Sequence, residues 1–226
     1  PHLTTMYFHD IDAAGHDFGQ DSPQLIEAIN KVDKSFENLI YKLSQLPIDV
    51  NVVLVSDHGM AQSSEENFEA LPSWLENNYY TVGAGPIVHI YDLKNSSTTL
   101  AKTVEALNRN AQHFTCYQYQ DLPSRLNSSS NNRIGDIACL AKSGWNIGFD
   151  SRQPIGNHGW DQFESRDMDG VFFAQGKLFK PGFIQPTAEN IHVMPLLAEM
   201  LGLTITHQID GDSKQLAPLL RNNPTE

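Results

Sequence analysis

Residues 51–60 read Asn51-Val-Val-Leu-Val-Ser-Asp-His-Gly-Met60. The nearly continuous apolar run Val52, Val53, Leu54, Val55 predicts a short strand buried on both faces, and Ser56-Asp57-His58-Gly59 follows at its carboxyl end. Ahead of it, Leu25, Ile26, Ile29, Val32, Phe36, Leu39, Ile40 and Leu43 recur every three or four residues and predict a long helix with one apolar face. Asp21 or Ser22 can cap that helix, Pro23 suits its first position, and Pro47 stops it. Further back, Leu3 to Ile11 is rich in Thr, Tyr, Phe and Ile and predicts an opening strand. Strand, helix and buried strand make a βαβ unit, so the chain reads as α/β with a mostly parallel sheet flanked by helices.

The middle of the chain is less regular. Strands are predicted at Ile87–Tyr91, Phe114–Tyr119 and Ile134–Ala141, with a helix at Ser97–Gln112 and a polar loop at Asn127–Asn132. These elements suggest a small α+β insert over about residues 80–150. Val171–Ala174 predicts a further buried strand, and Asn190–Leu201 a helix ended by Gly202. No internal repeat is present.

Composition narrows the function classes. The 226 residues carry 15 Lys plus Arg against 27 Asp plus Glu, a formal charge of −12. That excess argues against a sequence-independent nucleic-acid binder, which neutralises phosphates with cationic side chains. It leaves small anionic substrates open, because a bound cation inverts the local field. No apolar run is long enough for a membrane span and no leader pattern is seen. Cys116 and Cys139 can pair or stay free. Asn95-Ser96-Ser97 and Asn127-Ser128-Ser129 fit the glycosylation acceptor pattern. The chain opens on Pro1 rather than Met, as expected for a processed or excised product.

Three clusters of Asp, His and Gly carry the chemistry. Asp12-Ala-Ala-Gly-His16 places a carboxylate and an imidazole four residues apart, on one face of a helical turn. Asp57-His58-Gly59 sits at the strand end, the edge where open α/β sheets bind ligands. Gly156-Asn157-His158-Gly159 lies in a Gly-rich loop about a hundred residues on. Any one of them alone reads most simply as a surface pair, a cap or a packed histidine. Together, two Asp and three His flanked by glycines form an imidazole and carboxylate set suited to zinc. His9 and Asp10 are candidates to support those ligands, and alternation along the opening strand would put Asp10 on the face of Asp12, where it could compete as a ligand. His2, His89, His113, His192 and His207 have no comparable setting.

The stretches Tyr7-Phe8-His9-Asp10-Ile11-Asp12-Ala13-Ala14-Gly15-His16, Val55-Ser56-Asp57-His58-Gly59-Met60 and Gly156-Asn157-His158-Gly159-Trp160-Asp161 resemble the nucleotide pyrophosphatase/phosphodiesterase family of the alkaline phosphatase superfamily. Weaker matches run through Arg133-Ile134-Gly135-Asp136, Asn190-Ile191-His192-Val193, Leu201-Gly202-Leu203 and Asp210-Gly211, so the resemblance covers nearly the whole chain. It implies an alkaline-phosphatase-like fold lacking its N-terminal half, with residues 1–226 forming the carboxyl-terminal portion of a catalytic domain. It also implies two zinc ions. Asp12, His16 and His158 would hold one. Asp57 and His58 would hold the other, with an Asp and a nucleophilic Thr that have no counterpart in this sequence. The parent protein is then expected to hydrolyse phosphodiester or pyrophosphate bonds of small nucleotide substrates through a phospho-threonine intermediate, in an extracytoplasmic or periplasmic setting, and this chain alone to be inactive. A phosphonoacetate hydrolase or phosphomonoesterase of the same superfamily, or a non-catalytic metal-binding module, are the alternatives.

Overall fold

The structure is a computed structural model that describes residues 1–93, 97–128 and 133–221. Both glycosylation triplets include residues outside those ranges, as does most of the polar loop at 127–132. The chain divides into two compact units, one made of residues 1–8, 33–57 and 170–226, the other of residues 9–32 and 58–169.

The first unit is built on strand β1 (Val52–Val55), which pairs antiparallel with β10 (Phe172–Gln175), Val53 facing Ala174. Ser56 extends the ladder: its N–H donates to the Val171 carbonyl and its Oγ accepts from the Val171 N–H. Phe179, Leu196, Leu216 and Leu219 form the core of this unit, with Val53, Phe172 and Ala174 packed on it. Leu196 comes from helix α4 (Val193–Met200), which follows a single 3-10 turn at Asn190–His192 and ends just before Gly202 at φ 66°.

Here the expectation of a βαβ unit is corrected. Leu3–Ile11 forms no strand: residues 1–9 carry no regular element, and helix α1 (Asp10–Phe18) takes over at Asp10. β-branched and aromatic residues favour a strand only where another strand lies alongside, and none does among the described residues. From Asp10 onward, Asp10 and Asp12 in the first turn and His16 in the last suit the helix dipole, and Ala13 and Ala14 favour helix. The described neighbour of β1 is therefore antiparallel, and the parallel pair found is β3 (Phe68–Ala70) with β8 (Asn146–Gly148).

Helix α2 (Pro23–Ser44) begins as the sequence predicts: the Ser22 Oγ accepts from the Leu25 N–H and Pro23 occupies the first turn. Residues 23–32 belong to the second unit and 33–44 to the first.

The second unit contains a four-stranded antiparallel sheet in the order β4 (Tyr80–Val82), β5 (Ile87–Tyr91), β7 (Ile137–Ala141), β6 (Phe114–Gln118). Alternation along β5 buries Val88 and Ile90 completely, in one core with Leu107 of helix α3 (Ser97–Asn108), which packs against β6. The Asn108 amide covers the open edge of β6, donating to the Cys116 carbonyl and accepting from the Cys116 N–H. Cys116 and Cys139 are directly opposed across β6 and β7, buried, and joined in a disulfide. The sequence had left that pairing open.

A carboxylate ties β3 to this sheet. The Glu69 side chain accepts the Gln112 N–H at 3.0 Å and the His113 N–H at 2.6 Å, and lies 3.2 Å from His113 Nδ1, whose ring stacks on Trp145. Hydrogen bonds to a charged acceptor contribute about 1.5–3 kcal/mol, so Glu69→Ala is expected to destabilise the protein by about 2 kcal/mol in urea unfolding; a change under about 0.5 kcal/mol would mean water replaces the carboxylate.

Candidate metal centre

The chemistry-bearing clusters meet in the second unit because two short strands bring them together. β2 (Ala61–Gln62) pairs antiparallel with β9 (Gly156–Asn157), so the segments carrying His58 and His158 run side by side. α1 lies against the same ladder: the Ile155 N–H donates to the His16 carbonyl at 2.9 Å. A Cβ on Gly156 would fall 2.2 Å from the Gly15 carbonyl oxygen, so only glycine lets the helix approach this closely.

The side chains around Asp12 form a group that could hold a cation. Its Oδ1 lies 3.6 Å from His16 Nε2 and 3.9 Å from His158 Nε2. One ligand atom each of Asp12, His58 and His158 lies within 4.8 Å of the others. The His58 and His158 rings stack at 3.6 Å, and those of His16 and His158 lie 5.0 Å apart. The Asp12 Oδ1 is buried and accepts no hydrogen bond among the described residues. A buried carboxylate oxygen without a donor is costly unless a cation completes it. Two donor atoms that each sit about 2.0–2.2 Å from a zinc lie within roughly 4.2 Å of each other, which both imidazole distances satisfy.

The imidazoles are also presented in the right tautomer. His16 Nδ1 lies 2.7 Å from the Gly156 carbonyl oxygen, and His58 Nδ1 2.7 Å from its neighbour's, that of Gly59. A carbonyl oxygen only accepts, so Nδ1 carries the hydrogen in both rings and Nε2 is the ring atom left to face a cation. These residues fit a divalent cation with nitrogen and oxygen donors.

Of the sequence candidates, Asp12, His16, His58 and His158 come together. Asp57 is exposed and falls in the first unit, at the end of segment 33–57. Asp10 is not placed with Asp12. On a helix rather than a strand, positions two apart point different ways, and Asp10 instead meets Lys31 at 3.0 Å, whose ammonium holds its carboxyl below the ordinary range. Three histidines set aside earlier serve the packing: His113 stacks on Trp145, the Nδ1 of buried His192 accepts from the Asp212 N–H, and burial pushes His89 below the usual histidine range. The sequence reading missed Ser63 and Asn146, buried polar side chains with no motif to mark them.

A family model for type I phosphodiesterase / nucleotide pyrophosphatase matches residues 1–161. The chain belongs to that family. Human ectonucleotide pyrophosphatase/phosphodiesterase family member 5 is 31% identical over 207 residues, covering 89% of this chain and 43% of that protein. The solved structure of the same human protein superposes with a TM-score of 0.84 over 93% of this chain and 56% of that one, at 30% identity. Human bis(5'-adenosyl)-triphosphatase ENPP4 is 30% identical over 206 residues, 89% of this chain and 44% of that protein. The murine member 5, solved as an inactive threonine-to-alanine form in complex with AMP, gives a TM-score of 0.82 at 28% identity, covering 93% of this chain and 56% of that one. The alkaline-phosphatase-like α/β class expected from the motifs is therefore the fold. The chain spans less than half the length of these curated relatives.

Proposed function

We propose that this chain carries the metal-binding portion of a hydrolase that cleaves phosphodiester or pyrophosphate bonds of small nucleotides. Zinc would be held by Asp12, His16 and His158, and at a second position by Asp57 and His58. The observation that carries this reading is the convergence of His16 and His158 on a buried Asp12 oxygen that accepts no hydrogen bond among the described residues, with a ligand atom of His58 within 4.8 Å of those of Asp12 and His158. Imidazole-rich donor sets favour zinc over magnesium or calcium, which prefer oxygen. When bound, a divalent cation there supplies Lewis-acid charge to the phosphate oxygens.

The chain's own residues do the rest. The Gly156 and Gly59 carbonyls orient the rings of His16 and His58, and Asp12 contributes the single negative charge of its set. One carboxylate with neutral imidazoles leaves a dication only partly compensated, so the site would draw an anionic phosphoester even into a protein of net charge −12. The nucleophile on this reading is a threonine matched by no residue of this sequence, and the inactive threonine-to-alanine form of the murine relative supports that role. AMP in that structure and the triphosphatase name of the human relative support a nucleotide substrate. The Cys116–Cys139 disulfide supports an extracytoplasmic or periplasmic setting, since cytosolic thiols are kept reduced.

The purified 226-residue protein is expected to retain zinc through gel filtration and to turn over a nitrophenyl phosphodiester negligibly. Loss of all metal on desalting would overturn the zinc reading. Turnover comparable to an intact relative would mean that a residue of this chain supplies the nucleophile.

A further inference from the structure

We propose that Asn157 is a positioning residue for His158, acting through a buried amide relay that reaches back to Ser63. The proposal rests on the metal reading above and deepens it.

The relay is continuous. The Asn157 Oδ1 accepts the His158 N–H at 2.9 Å, and its Nδ2 donates to Asn146 Oδ1 at 3.1 Å. The Asn146 Nδ2 donates in turn to Ser63 Oγ, at 2.5 Å. All three side chains are buried, with exposures of 9% for Asn157, 0% for Asn146 and 5% for Ser63. Each anchor belongs to a different local element: Ser63 follows β2 and its N–H donates to the Ile155 carbonyl, Asn146 opens β8, and Asn157 ends β9. Gly85 roofs the pair, since a Cβ there would lie 3.0 Å from Asn157 Nδ2 and 3.4 Å from Asn146 Oδ1.

The direction of the relay is dictated by its His158 end. A backbone N–H can only donate, so Asn157 must turn its oxygen toward residue 158 and its NH2 toward Asn146. Asn146 must then offer its oxygen to Asn157 and its NH2 to Ser63, whose Oγ accepts. Neither amide can flip without leaving buried donors face to face. Satisfied buried networks of this kind are rigid, and a partly satisfied one is costly.

That rigidity falls just past the end of β9, beyond the ladder. His158 stands between Gly156 and Gly159, the latter at φ 110°, so the surrounding main chain has few side chains to fix it. Capturing the His158 N–H fixes the peptide plane from which the imidazole projects toward Asp12. Metal affinity depends on such supporting bonds by about 10–100-fold.

Zinc affinity by chelator competition on the 226-residue protein, with unfolding temperature measured in EDTA, tests the proposal. Asn157→Ala is expected to weaken zinc about 10–100-fold while the metal-free protein still unfolds cooperatively. Placed in a His158→Ala background, it is expected to add nothing, because a residue acting through His158 has no further effect once that ring is gone. Wild-type affinity in Asn157→Ala, or full additivity with His158→Ala, would overturn the positioning role. Should Asn157→Ala not fold, Ser63→Ala removes only the far anchor; it is expected to weaken zinc by about threefold or more, and no change there would likewise overturn it. An unchanged zinc affinity in His158→Ala alone would instead refute the metal reading on which this rests.

Discussion

Asp12→Asn should weaken zinc binding by more than about a hundredfold while leaving the metal-free protein almost as stable as before. Supporting residues around a metal are worth up to about a hundredfold in affinity, and a charged ligand at the centre of the set should exceed that. Asp12 is the carboxylate that His16 and His158 both face, at 3.6 Å and 3.9 Å. Asparagine keeps the shape and a neutral oxygen but removes the charge that balances a dication. Two smaller effects oppose each other in the metal-free state. The variant loses a favourable carboxylate in the first turn of α1, worth about 0.3–1 kcal/mol. It also relieves a buried carboxyl oxygen that accepts no hydrogen bond among the described residues, an arrangement costing about 1–3 kcal/mol when uncompensated and less here because the side chain is partly exposed. Their difference should stay within about 1 kcal/mol. Chelator competition and urea unfolding in EDTA read the two quantities separately. A large loss of metal-free stability would mean that Asp12 serves the helix. Unaltered affinity would mean that the cation sits elsewhere.

How far the sequence could carry this reading depended on distance along the chain. Val52–Val55 and Ile87–Tyr91 were legible as strands because short apolar, β-branched runs are local signals, and the cap at Ser22 and Pro23 was legible for the same reason. The expected burial of Val52–Val55 on both faces was not met, since Val52–Leu54 are half-buried and Val55 is exposed. Asp12 and His16 were paired correctly as helix neighbours, although the strand expected over Leu3–Ile11 ran up to that pair and left Asp10 open as a competing ligand. Composition alone could not show that residues 1–9 have no partner strand among the described residues. The pairing of β1 with β10 spans more than a hundred residues and leaves no trace in either segment, so the expected parallel neighbour gave way to an antiparallel one. The convergence of His58 and His158 was reached through the combination of motifs. Its physical cause, the two-residue ladder between Ala61–Gln62 and Gly156–Asn157, has no signature at that length. Asn146 and Ser63 are the hardest case. A buried amide looks in sequence like any loop Asn or Ser, and only its partners mark it.

Removing the disulfide with Cys116→Ala and Cys139→Ala together should destabilise the unit that contains it by about 3 kcal/mol. The two cysteines are 23 positions apart, and closing a loop of that size restricts the unfolded chain by roughly this amount in the entropic account. Alanine is the better replacement, because serine would bury a hydroxyl at sites only 1% and 0% exposed. The native pairing should survive the change. β6 and β7 are held by a five-residue register from Phe114↔Ala141 to Gln118↔Ile137, and the Asn108 side chain holds the far edge of β6 independently. The loop the disulfide closes carries Arg125, whose guanidinium pairs with Asp161 three residues beyond His158, so loosening this loop should be felt near the candidate centre. Wild-type protein in reductant should then match the double variant in urea unfolding, and the variant should be indifferent to reductant. A loss below about 1 kcal/mol would show that the unfolded chain already keeps the two strands together, so that the cross-link restricts little. A loss in the variant with no effect of reductant on the wild type would assign the destabilisation to core packing at the two sites. The same comparison bears on compartment: a chain that needs this bond should fold poorly where thiols stay reduced.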